Sequence, residues 1–90
     1  MIDRIRQAIR DQRYRLSSHA IEEMAEDGLE SGDLESIMLT GVVARHFTRD
    51  PRGTRYEVVG NTTDCRRGCA VCRFLTTGEL LVITAYEAEQ

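Results

Sequence analysis

Apolar residues in the first 41 positions recur at the spacing of helices. In the opening segment they lie three and four positions apart, which is the period of a single helical face. These positions are Ile2, Ile5, Ala8 and Ile9. The pattern predicts a first helix whose apolar side packs against the rest of the chain.

Two further helices are predicted after the segment Tyr14-Arg15-Leu16, which is interpreted as a linker. Ser17 or Ser18 can cap the second helix by accepting a bond from a free backbone N–H, and Gly28 ends it. Its buried side is predicted at Ala20, Ile21, Met24 and Ala25, and its solvated side at Glu22, Glu23, Glu26 and Asp27. A third helix, capped by Ser31 and ended by Gly41, is predicted to bury Leu34, Ile37 and Met38.

From Val42 onward apolar and polar residues alternate, which is the period of β-strands. Turn-forming residues separate four predicted strands. The strands are Val42–Thr48, Arg55–Asn61, Cys69–Thr76 and Glu79–Tyr86. Three helices (residues 1–41) followed by a four-stranded antiparallel meander (residues 42–90) predict a single α+β domain over residues 1–90, with helices covering one face of the sheet.

Length and charge narrow the class of protein. Ninety residues, 41% of them hydrophobic, are typical of one soluble domain. The longest apolar run, Leu80–Ile83, is too short to span a membrane, and the Arg-rich beginning does not resemble a secretory signal. We therefore expect a cytoplasmic protein that does not bind membranes.

All twelve basic residues are Arg, and their distribution is uneven. Residues 42–73 hold seven Arg against three acids, a balance of +4, whereas residues 1–41 hold five Arg against nine acids, a balance of −4. Arg binds phosphate with a rigid planar fork. An anionic ligand is therefore expected at the middle third of the chain.

Three cysteines, Cys65, Cys69 and Cys72, are an odd number, which favours free thiols over a disulfide framework. Their spacing also suggests zinc, with His46 or His19 as the fourth ligand. Residues three apart on one regular strand point to opposite faces, so Cys69 and Cys72 would not share a metal. The preferred prediction is no metal and no cofactor, with Cys72 as a small buried residue.

An ordered set of short segments resembles the domain-of-unknown-function family numbered 4258. The segments run over nearly the whole chain: Leu16-Ser17-Ser18-His19-Ala20, Glu23-Met24, Gly28-Leu29, Asp33-Leu34, Gly41-Val42-Val43, Tyr56-Glu57-Val58-Val59-Gly60, Val71-Cys72-Arg73-Phe74 and Leu81-Val82-Ile83-Thr84-Ala85-Tyr86. One segment differs, since Asp64-Cys65-Arg66 stands where many relatives have Asp-Gly-Arg.

The resemblance implies a fold and a function. Proteins of this kind are similar to small bacterial toxins of the RelE, BrnT and MqsR kind. Some are encoded beside a zinc-finger antitoxin of the YgiT type. The resemblance implies a RelE/BrnT-like fold, an endoribonuclease that acts on messenger RNA, and inhibition by an antitoxin of the zinc-finger or helix-turn-helix type. Pairing with a copy of itself is left open.

Metal-free RNA cleavage needs a base for the ribose 2′-OH, a cation for the phosphate and a proton for the leaving oxygen. His19 is the first candidate for base or acid, because the start of the second helix favours an anion. Arg73 is the candidate cation, in a strand whose same-face neighbours Val71 and Leu75 are apolar. Tyr86, expected on the face of Val82 and Thr84, is the candidate proton donor.

Each candidate has a structural alternative. His19 can be an exposed polar residue near a helix cap. Arg73 can form an ion pair with Glu57 or Glu79, and Tyr86 can pack at the edge of the sheet with its hydroxyl in water. His46 is interpreted as a residue at the edge of the core, on the face of Val42 and Ala44.

Several Arg residues are predicted to contact phosphates without selecting a sequence. They are Arg45, Arg55, Arg66 and Arg67. Arg55 and Tyr56 are expected on opposite faces of their strand. A second hypothesis keeps the same scaffold as a non-catalytic RNA-binding or protein-docking module.

Overall fold

The computed structural model of the protein describes residues 1–88, in which three helices precede most of a five-stranded sheet. The helices are α1 (Ile2–Arg10), α2 (Ser18–Glu26) and α3 (Ser31–Thr40). The strands are β1 (Tyr14–Leu16), β2 (Val42–Phe47), β3 (Arg55–Asn61), β4 (Arg67–Phe74) and β5 (Leu80–Glu87). The α+β prediction is confirmed, and the strand ends differ from those predicted by up to two residues.

The sheet has the order β1-β5-β4-β3-β2 and is mixed rather than purely antiparallel. Strands β2 to β5 form the expected antiparallel meander. The predicted linker is wrong, because Tyr14, Arg15 and Leu16 form a short edge strand parallel to β5. A strand of three residues is too short to show a period of two, so the sequence pattern did not reveal it.

Helix α2 starts where β1 ends, and the same serine serves both elements. Ser17 Oγ accepts a bond of 3.0 Å from the backbone N–H of Ala20, which caps α2 as expected. The Ser17 hydroxyl also donates to Ile83 O at 2.6 Å. Gly28, with φ +67°, follows the end of the helix. This arrangement fixes α2 against the border of β5.

Helix α3 begins one residue earlier than predicted, with Glu30 rather than Ser31 at the cap position. The Asp33 carboxylate accepts bonds from Glu30 N–H at 2.9 Å and from the Thr63 N–H and hydroxyl. These hydrogen bonds hold the pKa of Asp33 below its ordinary value, because their effect is larger than the opposite effect of burial. Asp33 therefore ties the start of α3 to the loop between β3 and β4.

The helices cover one face of the sheet, and the core lies between the two layers. The fully buried sheet residues of this core are Val58, Ala70, Cys72, Leu80, Val82 and Ala85, each at 0% exposure. On α2, Ala20 and Met24 are buried as predicted, but Ile21 and Ala25 are exposed. The buried stripe of α2 is narrower than its sequence suggested, because α2 packs at the border of the sheet rather than across its centre.

The end of α3 lies unusually close to the sheet, and glycine permits the approach. A Cβ on Gly60 would lie 2.2 Å from Ile37 O and 2.8 Å from Gly41 Cα. Real Cβ atoms do not approach backbone atoms at such distances, so Gly60 is the residue that lets α3 rest on β3.

Two β-bulges shift the side chains of the outer half of the sheet. Val71 of β4 pairs with Thr84 of β5, and the next residue of β4, Cys72, pairs with Val82. Ile83 is therefore the extra residue in β5. In β2 the register shifts between Val43 and Arg45. Each shift exchanges the face on which the later residues of its strand lie. Within residues 1–88, no helix has the length and apolar character needed to traverse a bilayer.

Candidate functional site

The sheet has a second face that the helices do not cover, which we call the open face. Its side chains alternate with the fully buried core residues Val58, Ala70, Cys72 and Ala85. The open face carries Arg45, Glu57, Cys69, Val71, Arg73, Thr84 and Tyr86. All three residues predicted to act in catalysis lie on this face or at its border.

His19 lies on α2, which runs along one border of the open face. Its Nε2 atom is 3.2 Å from Oε1 of Glu23, one helical turn later. The hydroxyl of Thr84, on the open face, donates a hydrogen bond to the same Glu23 oxygen. The imidazole is 68% exposed, whereas the Glu23 side chain is 26% exposed. A half-buried carboxylate therefore holds one side of an imidazole that is otherwise accessible to a ligand.

Tyr86 lies on the same face and the same strand as Thr84, two residues away. Tyr86 shares this face with Thr84, as predicted. The prediction that Tyr86 also shares a face with Val82 is wrong, because the bulge at Ile83 places Val82 on the core face. The pKa of Tyr86 is raised, first by burial and then by the neighbouring Cys69 thiol. The carboxylates of Glu57 and Glu23 raise it further. This hydroxyl keeps its proton at neutral pH and is suited to donate a hydrogen bond.

Arg45 and Glu57 form an ion pair on the open face between the border strand β2 and β3. The Arg45 Nη2 atom is 2.9 Å from Glu57 Oε2, and Nε is 3.4 Å from Oε1. The bond to Glu57 raises the pKa of Arg45 above its ordinary value. The Arg45 side chain is 65% exposed and its guanidinium lies 5.3 Å from the Phe47 ring centroid. Its remaining N–H groups point to solvent.

Arg73 has no carboxylate partner within residues 1–88. The structural alternative, an ion pair of Arg73 with Glu57 or Glu79, is not formed, because Glu57 binds Arg45 and Glu79 binds Arg15. Arg73 pairs across the sheet with Leu81, and Val71 pairs with Thr84. Arg73 and Thr84 therefore lie on opposite sides of the register shift at Ile83.

The described contacts bring some of the candidate residues together and not others. His19 is joined to Thr84 through Glu23, and Tyr86 follows on the same strand face. Within the described part of the chain, no hydrogen bond or ion pair joins Arg73 to His19 or to Tyr86. Arg73 lies four positions along β4 from Cys69, the residue that pairs with Tyr86.

The other Arg residues predicted to bind phosphate differ in their availability. Arg67 is exposed on the open face, where its charge acts on Cys69. Arg55 is the first residue of β3, beside a cleft of about 560 Å³ in the β2–β3 loop. Its Nε atom is 3.2 Å from Asp50 Oδ2, and its guanidinium carbon is 5.2 Å from the Phe47 ring centroid. Arg55 and Tyr56 point to opposite faces, as predicted.

Arg66 has a structural role that the sequence did not suggest. Its guanidinium contacts the Asp64 carboxylate at 3.0 Å and donates to Asp27 O at 2.9 Å and Gly28 O at 3.3 Å. These bonds satisfy carbonyl groups at the end of α2. Because its donors are occupied by the protein, we leave Arg66 out of the candidate ligand-binding set.

The cysteines are free thiols with different surroundings. Cys65 is exposed, whereas Cys69 and Cys72 are buried. Cys72 lies in the core, where burial raises its pKa to about 12. Cys69 lies on the open face, and burial is the first cause of its raised pKa. Cys69 and Cys72 point to opposite faces of β4, as the spacing predicted, and residues 1–88 contain no group of three potential metal ligands.

His46 is displaced by the bulge in β2. It pairs with Tyr56 and lies on the helix side of the sheet together with Val43, not on the face of Val42 as predicted. It is exposed rather than at the edge of the core. The two histidines of the chain are therefore on different sides of the sheet.

Glu23 was predicted only as a residue of the solvated side of α2, not as a residue of the site. The spacing of four residues between His19 and Glu23 was the available signal, because such residues are neighbours on a helix. The part played by Thr84 had no comparable signal, since it depends on the bulge in β5.

Residues 16–87 match the family described as Domain of unknown function (DUF4258). The chain belongs to this family. The match to DUF4258 begins at Leu16, the last residue of β1, includes α2 and every residue of the open face, and leaves α1 outside. No curated protein and no solved structure matches the chain.

Proposed function

We propose that this DUF4258 protein is a toxin-like, metal-independent endoribonuclease that acts on messenger RNA. One observation carries the proposal: an exposed imidazole held by a carboxylate lies at the border of a sheet face that also bears Tyr86 and Arg73. The balance of seven Arg against three acids in residues 42–73 supports a polyanionic ligand.

In the proposed reaction, the His19 imidazole takes the proton of a ribose 2′-OH. The O2′–P bond forms and the P–O5′ bond breaks, which leaves a 2′,3′-cyclic phosphate and a 5′-hydroxyl. Arg73 stabilises the charge on the phosphorane. Tyr86 donates its proton to the leaving O5′, or it positions the phosphate while the His19 imidazolium returns the proton taken from the 2′-OH to O5′.

Three further residues have supporting roles in this proposal. Glu23 orients the imidazole through its contact at 3.2 Å. Arg45 and Arg67 bind neighbouring phosphates along the open face, without reading the bases. Arg55 extends the same contact toward the end of β3.

The protein is also proposed to act in the bacterial cytoplasm and to be held inactive by a small antitoxin of the zinc-finger or helix-turn-helix type. Induced expression in a bacterial host is then expected to arrest growth. Growth that is equal for the wild type, His19→Ala and Arg73→Ala would contradict toxicity.

The direct test is cleavage of a synthetic RNA by the purified protein in the presence of EDTA, with and without ribosomes. His19→Ala, Arg73→Ala and Tyr86→Phe are each expected to lower the cleavage rate by about 100-fold or more, which is the usual contribution of a positioned acid, base or charge. His46→Ala and Arg10→Ala are matched controls, since both residues are exposed and lie off the open face.

Two further results decide between the proposal and its rival. A single 2′-deoxy substitution at the cleavage position is expected to abolish cleavage there, because the nucleophile is removed. Binding of RNA that survives His19→Ala, with no cleavage under any of these conditions, would refute the nuclease and favour a non-catalytic RNA-binding module.

A further inference from the structure

We infer that the free edge of β2 is the docking site of an acidic, extended segment of a protein partner, which adds a strand to the sheet. β2 is one border of the sheet, with β3 on its inner side. Within residues 1–88, no backbone hydrogen bond beyond the β2–β3 ladder involves Val42–Phe47. Unpaired N–H and C=O groups on an edge strand are a template for another chain.

The two borders of the sheet differ in this respect. At the opposite border β1 has only three residues, and the chain turns directly into α2, which packs along the rest of β5. β2 has six residues, and within residues 1–88 no strand pairs with its outer edge. Of the two described borders, β2 therefore offers an added strand the longer free edge, which includes the register shift between Val43 and Arg45.

An apolar cleft lies beside this edge, between α1 and β2. It has a volume of about 310 Å³ and is lined by Met1, Ile2, Arg6, Gly41, Val42, Val43, His46 and Tyr56. Val42 is 64% exposed and Met1 48%, which are high values for apolar residues that are not on a loop tip. An added strand would direct alternate side chains toward Val43 and His46, so an apolar side chain could enter the cleft.

The charge of this border selects the partner. Residues 42–55 contain four Arg and one Asp, a balance of +3, although the whole chain carries −3. Of these Arg residues only Arg45 lies in β2, where it pairs with Glu57. Pairing of β2 with β2 of a second copy would bring two borders of the same positive balance together, which is unfavourable. A segment that alternates acidic and apolar residues matches both the Arg residues and the cleft.

This inference does not depend on the proposed nuclease activity. The docking edge uses β2 and α1, whereas the proposed catalytic residues lie on α2, β4 and β5. Peptide binding that persists in His19→Ala, in a protein that never cleaves RNA, would refute the nuclease and leave the docking site intact.

The test uses the full chain and a capped eight-residue peptide that alternates Glu and Val. In heteronuclear NMR titrations, we expect shift changes at Val42–Phe47 and at the cleft, and slower amide exchange along β2. Replacing every Glu by Lys in the peptide, or methylating the backbone nitrogens of every second residue, is expected to abolish binding.

Variants of the protein supply the second arm. Val42→Asp is expected to weaken peptide binding about tenfold, since it removes apolar contact and adds a repelling charge. Ile21→Asp is the matched control: Ile21 is 54% exposed on α2, and its replacement is expected to leave binding unchanged. Equal binding of the Lys peptide, shift changes confined to the open face, or self-association through β2 would each overturn the inference.

Discussion

Gly60→Ala is expected to destabilise the protein strongly, although it adds a single methyl group. The new Cβ would lie 2.2 Å from Ile37 O and 2.8 Å from Gly41 Cα. A normal contact needs about 1 Å more, so the end of α3 must move away from β3. Overpacking of this kind costs about 1–3 kcal/mol. Ala also lowers the conformational entropy of the unfolded chain, which offsets about 0.4–1 kcal/mol of this loss in stability.

The movement would also disturb the hydrogen bonds between α3 and the end of β3. Ser36 Oγ donates to Asn61 O at 2.7 Å, and Asn61 N–H donates to Thr40 Oγ1 at 2.9 Å. We therefore expect a net loss of about 2 kcal/mol. For a slope of about 1 kcal/mol per molar urea, this lowers the unfolding midpoint by about 2 M.

Gly32→Ala is the matched control, because nothing lies within 4 Å of the Cβ position and Gly32 is within α3. Ala in a helix is about 0.5–1 kcal/mol more stable than Gly, so this variant is expected to raise the midpoint. Urea unfolding followed by far-UV circular dichroism measures both. A Gly60→Ala protein as stable as the wild type would refute the close approach of α3 to β3.

Three further predictions concern single residues. Cys65 has φ +67°, in the left-handed region that favours glycine, so Cys65→Gly is expected to raise the free energy of unfolding by about 0.5–1 kcal/mol in urea; a lower value would contradict backbone strain there. Tyr14 donates a 2.6 Å bond to Glu35, and burial raises its pKa to about 12. Tyr14→Phe is expected to cost about 1 kcal/mol, and no change in the urea midpoint would count against that bond. The pKa of Asp33 is lower in the folded chain than in the unfolded chain, where it is about 3.9. The ionised carboxylate therefore stabilises the fold above that pH, and this stabilisation is lost as the pH falls through the folded pKa. Between pH 6 and pH 2, the melting temperature of Asp33→Asn is expected to fall less than that of the wild type; parallel plots of melting temperature against pH would contradict this role.

Most helices and strands could be predicted because each has a period of its own. The apolar stripe at Ile5 and Ile9 and the alternation in β3 depend only on residues near in sequence. β1 could not be predicted in this way, because its strand character comes from pairing with β5, at the other end of the chain.

The two bulges explain most of the errors on side-chain direction. Ile83 shifts the alternation in β5, so Val82 and Thr84 point to opposite faces although they are two residues apart. The shift in β2 likewise moves His46 to the helix side. Neither position carries Gly or Pro, so the sequence offered no mark of an extra residue.

For the candidate site, the sequence identified candidate residues but not the side chains that they contact. His19, Arg73 and Tyr86 were identified by residue type and strand position. The capture of Glu57 by Arg45, which leaves Arg73 without a carboxylate in residues 1–88, follows from the register between β2 and β3. Long side chains choose among several neighbours, and the choice depends on distances that appear only in the folded chain.

The parallel contact between β1 and β5 has a consequence for biosynthesis. Ser17 Oγ and Ile83 O, which hydrogen-bond in the folded protein, are separated by 66 residues of chain. On a ribosome, residues 14–17 emerge early and have no strand to join until β5 has been made. His19, whose carboxylate partner is held by Thr84 of β5, acquires its final surroundings only at that late stage. A nascent chain would thus remain without the assembled residues of the open face until β5 has been synthesised.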